Sequence, residues 1–286
     1  LNAYDRRLHA FRPDLADHRL EGSVEAQRFV AGRPARIVST FEDLRRTPDL
    51  DAPVDTQLLM GDEVQVFEEK DGWLWAQAAR DGYVGYLPAQ SVETVDADLT
   101  HRVVVPRTFL YPGPDLRLPS AGSLSLGASV TIVDRAHTRG TDYAILETGE
   151  ALIARHIAPV GEHVPDYVSV AETLLMTPYL WGGTTGFGID CSGLVQLSMR
   201  MAGRNVLRDT DMQENSLGEA IDAGPDHSLL RRGDLVFWKG HVAIMTDERA
   251  IIHANGHMML VTCEPLAEAI ERIGYLYGGP TSFRRP

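Results

Sequence analysis

The chain of 286 residues carries 40 acidic side chains against 27 lysines and arginines, which gives a formal net charge of −13, and 44% of its residues are hydrophobic. This composition is typical of a soluble globular protein, and the length is sufficient for two or three domains. The acidic balance argues against a nucleic-acid partner, and no apolar stretch approaches the roughly 20 residues that a membrane span needs.

Only two cysteines, Cys191 and Cys263, are present, which is too few for a disulfide framework. Cys263 lies in a strand-like run and is interpreted as a core residue. The amino-terminal residues are polar and contain no apolar signal core, so together with the acidic charge the sequence predicts a cytoplasmic protein. Because the chain begins with Leu and not Met, a periplasmic or secreted location after removal of an export signal stays open as an alternative.

Residues 1–34 are predicted to form a partly helical lead-in, in which the E-A-Q-R-F-V run before Gly32 ends a short helix.

Residues 35–97 then change to a β pattern. Strands are predicted where polar and apolar residues alternate, over 36–40, 62–67, 73–78 and 83–88. Asp71-Gly72 and Asp81-Gly82 are hairpin turn signals between these strands. Short strands at this spacing predict a small barrel. The segments G-D-E-V-Q-V, D-G-W-L-W-A and G-Y-V-G-Y-L-P resemble a bacterial SH3 domain.

Residues 98–160 repeat this pattern more weakly. Strands are predicted over 103–105, 128–133, 142–146 and 151–154, and Gly127 precedes its strand as Gly61 does in the first copy. The tryptophans and the closing G-Y-x-G of the first copy are missing here. We predict a second SH3-like barrel, and for both barrels a scaffold role and a ligand-contacting role stay open.

Residues 161–286 follow a linker that contains Gly and Pro, and Asp166 is a good N-cap for a helix over 167–176. Strands are predicted over 234–238, 241–245, 250–254 and 258–263. Helices followed by antiparallel strands are typical of an α+β domain. The predicted fold class is therefore multidomain, with two small all-β SH3-like barrels followed by an α+β catalytic domain.

The stretch 179–193, Y-L-W-G-G-T-T-G-F-G-I-D-C-S-G, holds five glycines and is followed by an apolar, helix-like run. Cys191 is therefore predicted at the point where a glycine-rich loop turns into a helix. The unpaired N–H groups and the dipole of a helix N-terminus favour a thiolate over a thiol. The alternative interpretation is a buried structural cysteine, since free cysteine is among the most buried residue types.

Two of the ten histidines lie on neighbouring predicted strands, His241 at the start of H-V-A-I-M and His253 near the end of A-I-I-H-A. Symmetric pairing about the turn at 247–249 places His253 opposite Val242 or His241, so the two rings are neighbours on one face of the sheet. An imidazole base and its orienting partner require this geometry.

A structural or metal-binding pair is the alternative. Zinc would need further ligands such as His257 and Cys191, and the chain has no C-x-x-C or H-E-x-x-H spacing. We expect no metal and no cofactor.

Four segments, D-C-S-G, G-D-L-V-F-W, H-V-A-I and I-I-H-A-N-G, occur in this order, and over 165–280 the chain resembles the NlpC/P60 cysteine peptidases. The resemblance implies a papain-like α+β fold with Cys191 as nucleophile, His241 as base and His253 as polar third member. Tyr179 matches the tyrosine that helps to stabilise the oxyanion. The family cleaves peptidoglycan stem peptides, commonly after γ-D-glutamate.

Together with the SH3-like units, the chain resembles γ-D-glutamyl-L-diamino acid endopeptidases of the YkfC type. The resemblance implies a closed pocket for the free N-terminal L-Ala of the substrate. Arg208-Asp209-Thr210 matches the family's R-D-[ST] run, in which Asp209 binds the amine. Further pocket residues are implied by motif position: Thr210, Trp181, Asp190, Ser192 and a gating tyrosine, Tyr83, with Tyr86 as the alternative. The other interpretation of Asp209 is an N-cap for a helix over 211–220.

The sequence thus predicts a cysteine endopeptidase of murein peptide recycling, which cleaves the γ-D-Glu–diamino acid bond through an acyl-enzyme. Its expected partner is the peptidoglycan stem peptide L-Ala-γ-D-Glu-diamino acid with a free L-Ala. Two alternatives stay open: a non-catalytic cell-wall-binding protein, and an amidase or acyltransferase of the same fold.

Overall fold

The computed structural model describes residues 4–94 and 97–286, and the chain divides into two compact units, Leu1–Glu162 and His163–Pro286. Within the described ranges, none of the helices is both long and apolar enough to cross a membrane.

The first unit begins with two short strands, Ala16–Asp17 and Phe29–Val30, which pair in parallel, and with a 3₁₀ turn at His18–Leu20. The predicted helix end before Gly32 is therefore wrong. The valine of the second strand packs against the apolar cluster around Trp75, so tertiary packing overrides the local helix signal.

A seven-stranded antiparallel sheet forms the first β region. Its strands, in spatial order, are Val54–Leu59, Phe41–Arg45, Val84–Pro88, Trp73–Ala78, Glu63–Lys70, Arg33–Ile37 and Val92–Glu93. The hairpin predicted at Asp71-Gly72 is confirmed, with φ of 51° and 80° at these residues. The two outer strands do not pair with each other in the described part of the chain, so the prediction of a closed barrel is wrong.

The second β region consists of three small sheets in place of one continuous barrel. Its strands are His101–Val103, Arg107–Leu110, Gly122–Ser125, Ser129–Val130, Ile132–Thr138, Thr141–Leu146, Ala151–Ile153 and Ile157–Pro159, and the first unit also contains 3₁₀ turns at Ala89–Ser91 and Ala154–His156. A second closed barrel is therefore not formed by the described residues.

One element of the predicted repeat is present in the backbone. Gly61 and Gly127 both adopt the left-handed conformation, with φ of 88° and 86°. The Ser129 N–H donates to the Met60 carbonyl at 2.9 Å, and a Cβ on Gly61 would lie 2.4 Å from the Ser129 carbonyl oxygen. Gly61 is therefore needed both for its conformation and for close backbone contact between the two β regions.

The second unit has an α+β arrangement. Its helices are Tyr167–Thr173, Cys191–Met201, Thr210–Ser216 and Leu266–Tyr277. The six-stranded sheet has the spatial order Glu219–Ala220, Ser282–Arg285, Leu235–Trp238, His241–Met245, Ala250–Asn255 and Leu260–Pro265, and a separate strand pair is formed by Thr184–Thr185 and Gly188–Ile189. All pairings in the larger sheet are antiparallel.

Local signals explain where these helices begin. Asp166 accepts a hydrogen bond from the N–H of Val168, which confirms the predicted cap, although this helix ends at Thr173. The C-terminal helix Leu266–Tyr277 covers one face of the sheet and packs on residues such as Ala243 and Ile251. The helix Cys191–Met201 packs against the strands of the two histidines, which brings the predicted site residues together.

Cys263 lies in the strand Leu260–Pro265, as predicted, but its side chain is exposed. The assignment of Cys263 to the core is wrong. Leu260–Pro265 is the outer strand of the sheet, and its first residues form a short bridge to residues 176–179.

Candidate active site

Cys191 is the first residue of an 11-residue helix, as the sequence predicts, and it is only 6% exposed. Asp190 caps this helix by accepting a hydrogen bond from the Gly193 N–H at 2.7 Å. A Cβ on Gly193 would lie 2.2 Å from the Gly183 carbonyl oxygen, so only glycine permits this close contact between loop and helix. The loop and the helix start therefore hold the sulfur in one position.

Burial, and then the charge of Asp190, raise the pKa of the Cys191 thiol to about 11, against weaker opposite effects from the Val242 backbone and Thr210. This direction is opposite to the effect of a helix N-terminus, which favours the thiolate. A cysteine whose thiol form is favoured needs a base to become a nucleophile.

The predicted proximity of the two histidines is confirmed, since Nε2 of His241 lies 2.8 Å from Nδ1 of His253. The register differs from the prediction. Ile244 pairs with Ile252 and Met245 with Ile251, so continuing the ladder places His253 opposite Ala243 and not opposite Val242 or His241. The two rings meet diagonally, because they lie on the same face two positions apart.

His241 is the first residue of its strand. The backbone of the next residue, Val242, forms a hydrogen bond to the Cys191 sulfur. Burial, followed by the charges of His253 and Arg272, lowers the pKa of His241 to about 3. His241 is therefore neutral at physiological pH and keeps a lone pair that can accept a proton. Since the backbone of the adjacent Val242 hydrogen-bonds the Cys191 sulfur, His241 is one residue away in the chain from a direct contact of the thiol.

Sequence reasoning did not identify the group beyond His253. Oε1 of Glu264 lies 2.6 Å from Nε2 of His253, whose side chain is fully buried. The guanidinium of Arg272 donates to the same carboxylate oxygen. The alternation of the strands could have indicated this residue. Ile251 lies two positions before His253 on the same face of the sheet, and Glu264 pairs with Ile251, so its carboxylate lies on that face.

Tyr179 is half-buried at the start of the glycine-rich loop, and its N–H donates to the Met259 carbonyl at 2.8 Å. Burial, with further effects of Cys191 and Asp190, raises the pKa of Tyr179 above its usual range. Its hydroxyl is therefore protonated at neutral pH and can act as a hydrogen-bond donor.

Asp190 and Ser192 belong to a buried polar network that the sequence did not indicate. Arg208, which is 1% exposed, donates to Oδ2 of Asp190 at 2.6 Å and to the hydroxyl of Ser192 at 2.7 Å. Asp190 also accepts from the Gly182 N–H at 2.9 Å. These contacts join the glycine-rich loop to the nucleophile helix, while the role of Asp190 and Ser192 in a substrate pocket stays a prediction.

Asp209 is half-buried and occupies the N-cap position of Thr210–Ser216, which is shorter than the predicted helix over 211–220. In the described structure its carboxylate makes no capping hydrogen bond to this helix. The next residue, Thr210, has its hydroxyl 3.9 Å from the Cys191 sulfur. Asp209 is thus adjacent in the chain to a residue that contacts the nucleophile.

The remaining predicted residues lie in two different places. Trp181 is 69% exposed in the glycine-rich loop, next to the Gly182 that binds Asp190. Tyr83 lies in the first unit and is 2% exposed, and Tyr86 accepts a hydrogen bond there from Arg12 at 2.9 Å. The gating role of either tyrosine stays a prediction.

Among residues 4–94 and 97–286, no group of three His, Cys, Asp or Glu side chains is arranged to hold a metal ion. His257, the candidate third ligand, instead lines a cleft of about 610 Å³ together with residues of the outer strand and the C-terminal helix.

Two family models match the chain. Residues 44–92 match the bacterial dipeptidyl-peptidase SH3 domain, and residues 176–273 match the NlpC/P60 family. The chain carries an NlpC/P60 domain. Cys191, His241, His253 and Glu264 all lie within this domain. The SH3-like match covers most of the seven-stranded sheet and does not extend to the second β region.

Curated relatives share both parts. The chain is 28% identical over 241 residues to dipeptidyl-peptidase 6 of Lysinibacillus sphaericus, which covers 77% of this chain and 87% of the relative. It is also 28% identical over 228 residues to the γ-D-glutamyl-L-lysine dipeptidyl-peptidase of Bacillus cereus, which covers 70% and 67% of the two chains. Both of these relatives are named as peptidases.

A crystal structure of an NlpC/P60 family protein from Bacillus cereus has a similar fold, with a TM-score of 0.71 and 22% sequence identity. The similarity covers 88% of this chain and 99% of that chain. The similarity to this structure therefore concerns the fold.

Proposed function

We propose that this protein is a cysteine endopeptidase that cleaves the γ-D-Glu–diamino acid bond of muropeptides with a free N-terminal L-Ala. The observation that carries this proposal is the buried Cys191 sulfur at a helix start, which is hydrogen-bonded by the backbone of Val242, the residue that follows the His241 bound to His253. The arrangement supports acyl transfer through a thioester. The names of the curated relatives favour a γ-D-glutamyl bond as the target.

In the proposed reaction, His241 takes the proton of Cys191 as the sulfur attacks the γ-carbonyl of D-Glu. The protonated Tyr179 hydroxyl and the Cys191 backbone N–H bind the developing oxyanion. The imidazolium of His241 then protonates the leaving amine of the diamino acid. Water, deprotonated by the same imidazole, hydrolyses the thioester, releases L-Ala-γ-D-Glu and returns the thiol.

Asp209 supports the preference for a free amine. Its carboxylate is half-buried, and the residue precedes the Thr210 that contacts the Cys191 sulfur. A carboxylate with little solvent around it pairs selectively with an ammonium group. We propose that it binds the L-Ala amine, that Trp181 forms a wall of the pocket, and that Tyr83 closes the pocket to glycan-linked substrates.

A free L-Ala amine occurs on stem peptides that have already been released from the glycan. The proposed role is therefore recycling of wall fragments, and the proposed location is the cytoplasm.

Mass-spectrometric product analysis of two matched substrates tests this function. One is free L-Ala-γ-D-Glu-meso-diaminopimelate and the other is the same peptide with its amine blocked by N-acetylmuramic acid. Cleavage of the free peptide alone is the expected result, and the Cys191→Ala variant is the control that must release no product.

Cleavage of both substrates would keep the endopeptidase but overturn the selectivity for a free amine and the recycling role. Cleavage of neither would overturn the proposed function. A binding assay with intact sacculi and a test with lipid or amide acyl donors would then separate the binding protein from an amidase or acyltransferase.

A further inference from the structure

Glu264 lies where the sheet meets the C-terminal helix, with its carboxylate on the histidine side of the outer strand. Thr262 pairs with His253 and Glu264 with Ile251, so Glu264 is a diagonal neighbour of His253. One carboxylate oxygen, Oε1, contacts both His253 at 2.6 Å and the guanidinium of Arg272. The fully buried imidazole of His253 is thus bound by Glu264 at Nε2 and by His241 at Nδ1.

The direction of the hydrogen bonds follows from the chemistry of the carboxylate. The hydrogen bond from His253, with the charge of Arg272, lowers the pKa of Glu264, so its side chain is an ionised acceptor at neutral pH. Nε2 of His253 must therefore carry a hydrogen. If the ring carries no second hydrogen, Nδ1 of His253 is an acceptor and can receive the hydrogen on Nε2 of His241, 2.8 Å away. The remaining nitrogen, Nδ1 of His241, keeps its lone pair.

We propose that Glu264 is a positioning residue of the active site, which sets the tautomers of His253 and His241 so that Nδ1 of His241 can accept the Cys191 proton. The proposal rests on the proposed peptidase function. Proton transfer converts His241 into an imidazolium, and its positive charge then faces a chain of two hydrogen bonds that ends on a carboxylate. The carboxylate stabilises this charge without itself becoming protonated.

Without this carboxylate, His253 is free to carry its hydrogen on Nδ1. That hydrogen would point at Nε2 of His241 and force the hydrogen of His241 onto Nδ1, where the lone pair is needed. Replacing the carboxylate directly next to a catalytic histidine lowers kcat by about 10⁴-fold in serine proteases. Glu264 acts through one further imidazole, so we expect a smaller loss, on the order of 10- to 10²-fold.

Nitrogen-15 NMR of the histidine rings tests the proposal without any substrate. In the unmodified protein, both His241 and His253 are expected in the Nε2–H form, with assignments from the His253→Gln variant. In Glu264→Ala, a change of tautomer is expected. An Nδ1–H form of His253 in the unmodified protein would overturn the proposal even if peptide hydrolysis is observed. The expected tautomers without any hydrolysis would leave this inference standing and count against the proposed function instead.

Kinetics with the free tripeptide provide the second readout. Glu264→Ala is expected to lower kcat with little change in KM. Formate or acetate should restore part of the loss, because Glu264 lines the cleft of about 610 Å³ through which a small carboxylate can enter. Glu268→Ala, which removes a carboxylate from the same cleft, is the matched control and should retain full activity.

Full activity of Glu264→Ala, or a loss that added carboxylates leave unchanged, would overturn the proposal. Glu264→Gln keeps the volume, but its amide can donate to Nε2 of His253 as well as accept from it, so it is expected to permit the other tautomer and to lower kcat as the alanine variant does. Full activity of Glu264→Gln would contradict the need for a charged acceptor. If the alanine variant does not fold, the tautomers of the unmodified protein decide the question.

Discussion

Arg208 and Asp190 form an ion pair of 2.6 Å between Nη2 and Oδ2 in the interior of the second unit, where both side chains are almost completely withdrawn from solvent. The pair joins the chain after the nucleophile helix to the residue that caps this helix. Because the same aspartate also holds the Gly182 and Gly193 N–H groups, the pair fixes the position of Cys191.

The first prediction concerns the stability of this pair. Arg208→Met should lower the free energy of unfolding by about 3–5 kcal/mol, because it leaves the Asp190 carboxylate buried without its charged partner. Chemical denaturation measures the change. Arg232→Met is the control: Arg232 bridges Asp166 and Glu172 at the surface and should contribute about 1 kcal/mol or less. Similar losses in the two variants would show that burial of the Arg208–Asp190 pair does not increase its contribution to the free energy of unfolding.

The second prediction concerns pH. His241 must be neutral to take the thiol proton, and its pKa is lowered to about 3, so kcat/KM should stay flat from pH 6.5 down to about 5. Over the same range the unfolded protein binds a proton that the folded protein does not. The free energy of unfolding should therefore fall as pH decreases below about 6.5. An acid limb of kcat/KM centred near pH 6.5 would contradict the neutral, buried base.

The third prediction concerns the oxyanion. Tyr179→Phe removes a hydroxyl that burial keeps protonated, and kcat should fall by about 10²–10³-fold if this hydroxyl is an oxyanion donor. The KM of the free tripeptide should change little, because the bond forms only as charge develops on the carbonyl oxygen. Steady-state kinetics measure both values. A rise in KM at unchanged kcat would instead assign Tyr179 to substrate binding.

The fourth prediction concerns the free amine. Asp209→Asn should raise the KM of the free tripeptide by at least about tenfold, since a charged hydrogen bond contributes about 1.5–3 kcal/mol. Stability should change by about 0.5 kcal/mol or less, because the carboxylate does not cap its helix. Asp211→Asn, which changes the nearest acidic residue of the same helix, should leave KM unchanged. A loss of stability without a change in KM would make Asp209 a structural residue.

The parts of the fold that the sequence predicted well are those set by local signals. Asp166 and Asp190 cap their helices, and Asp71-Gly72 closes its hairpin, because in each case the neighbouring residues alone determine the geometry. The closed barrels were wrong because closure depends on pairing between strands far apart in the chain. Phe41–Arg45 and Val54–Leu59 carry no turn signal of comparable strength and were not predicted as strands.

In the candidate site, too, the sequence singled out the residues that local patterns mark. Cys191 and the two histidines were identified from a helix start and from hairpin symmetry. Arg208 and Glu264 were missed, because a buried charge is recognised only by its partner, and both partners lie elsewhere in the fold. The helix dipole was overestimated at Cys191 because burial, which opposes it, is not visible in the local sequence.

The outer strand Leu260–Pro265 and the residue before it contact two parts of the candidate site, the start of the glycine-rich loop and the histidine pair. At its start, Val261 donates to the Thr177 carbonyl and Met259 accepts from Tyr179; near its end, Glu264 holds His253. This strand pairs along its length with Ala250–Asn255 on one side, whereas on the other side it has only a short bridge to residues 176–179. Such a strand is expected to open more easily than a central one, and its separation would release the contacts of Tyr179 and of His253 together. Thermal inactivation should therefore precede melting of the core, and amide hydrogen exchange in this strand should occur at the same free energy as the loss of activity.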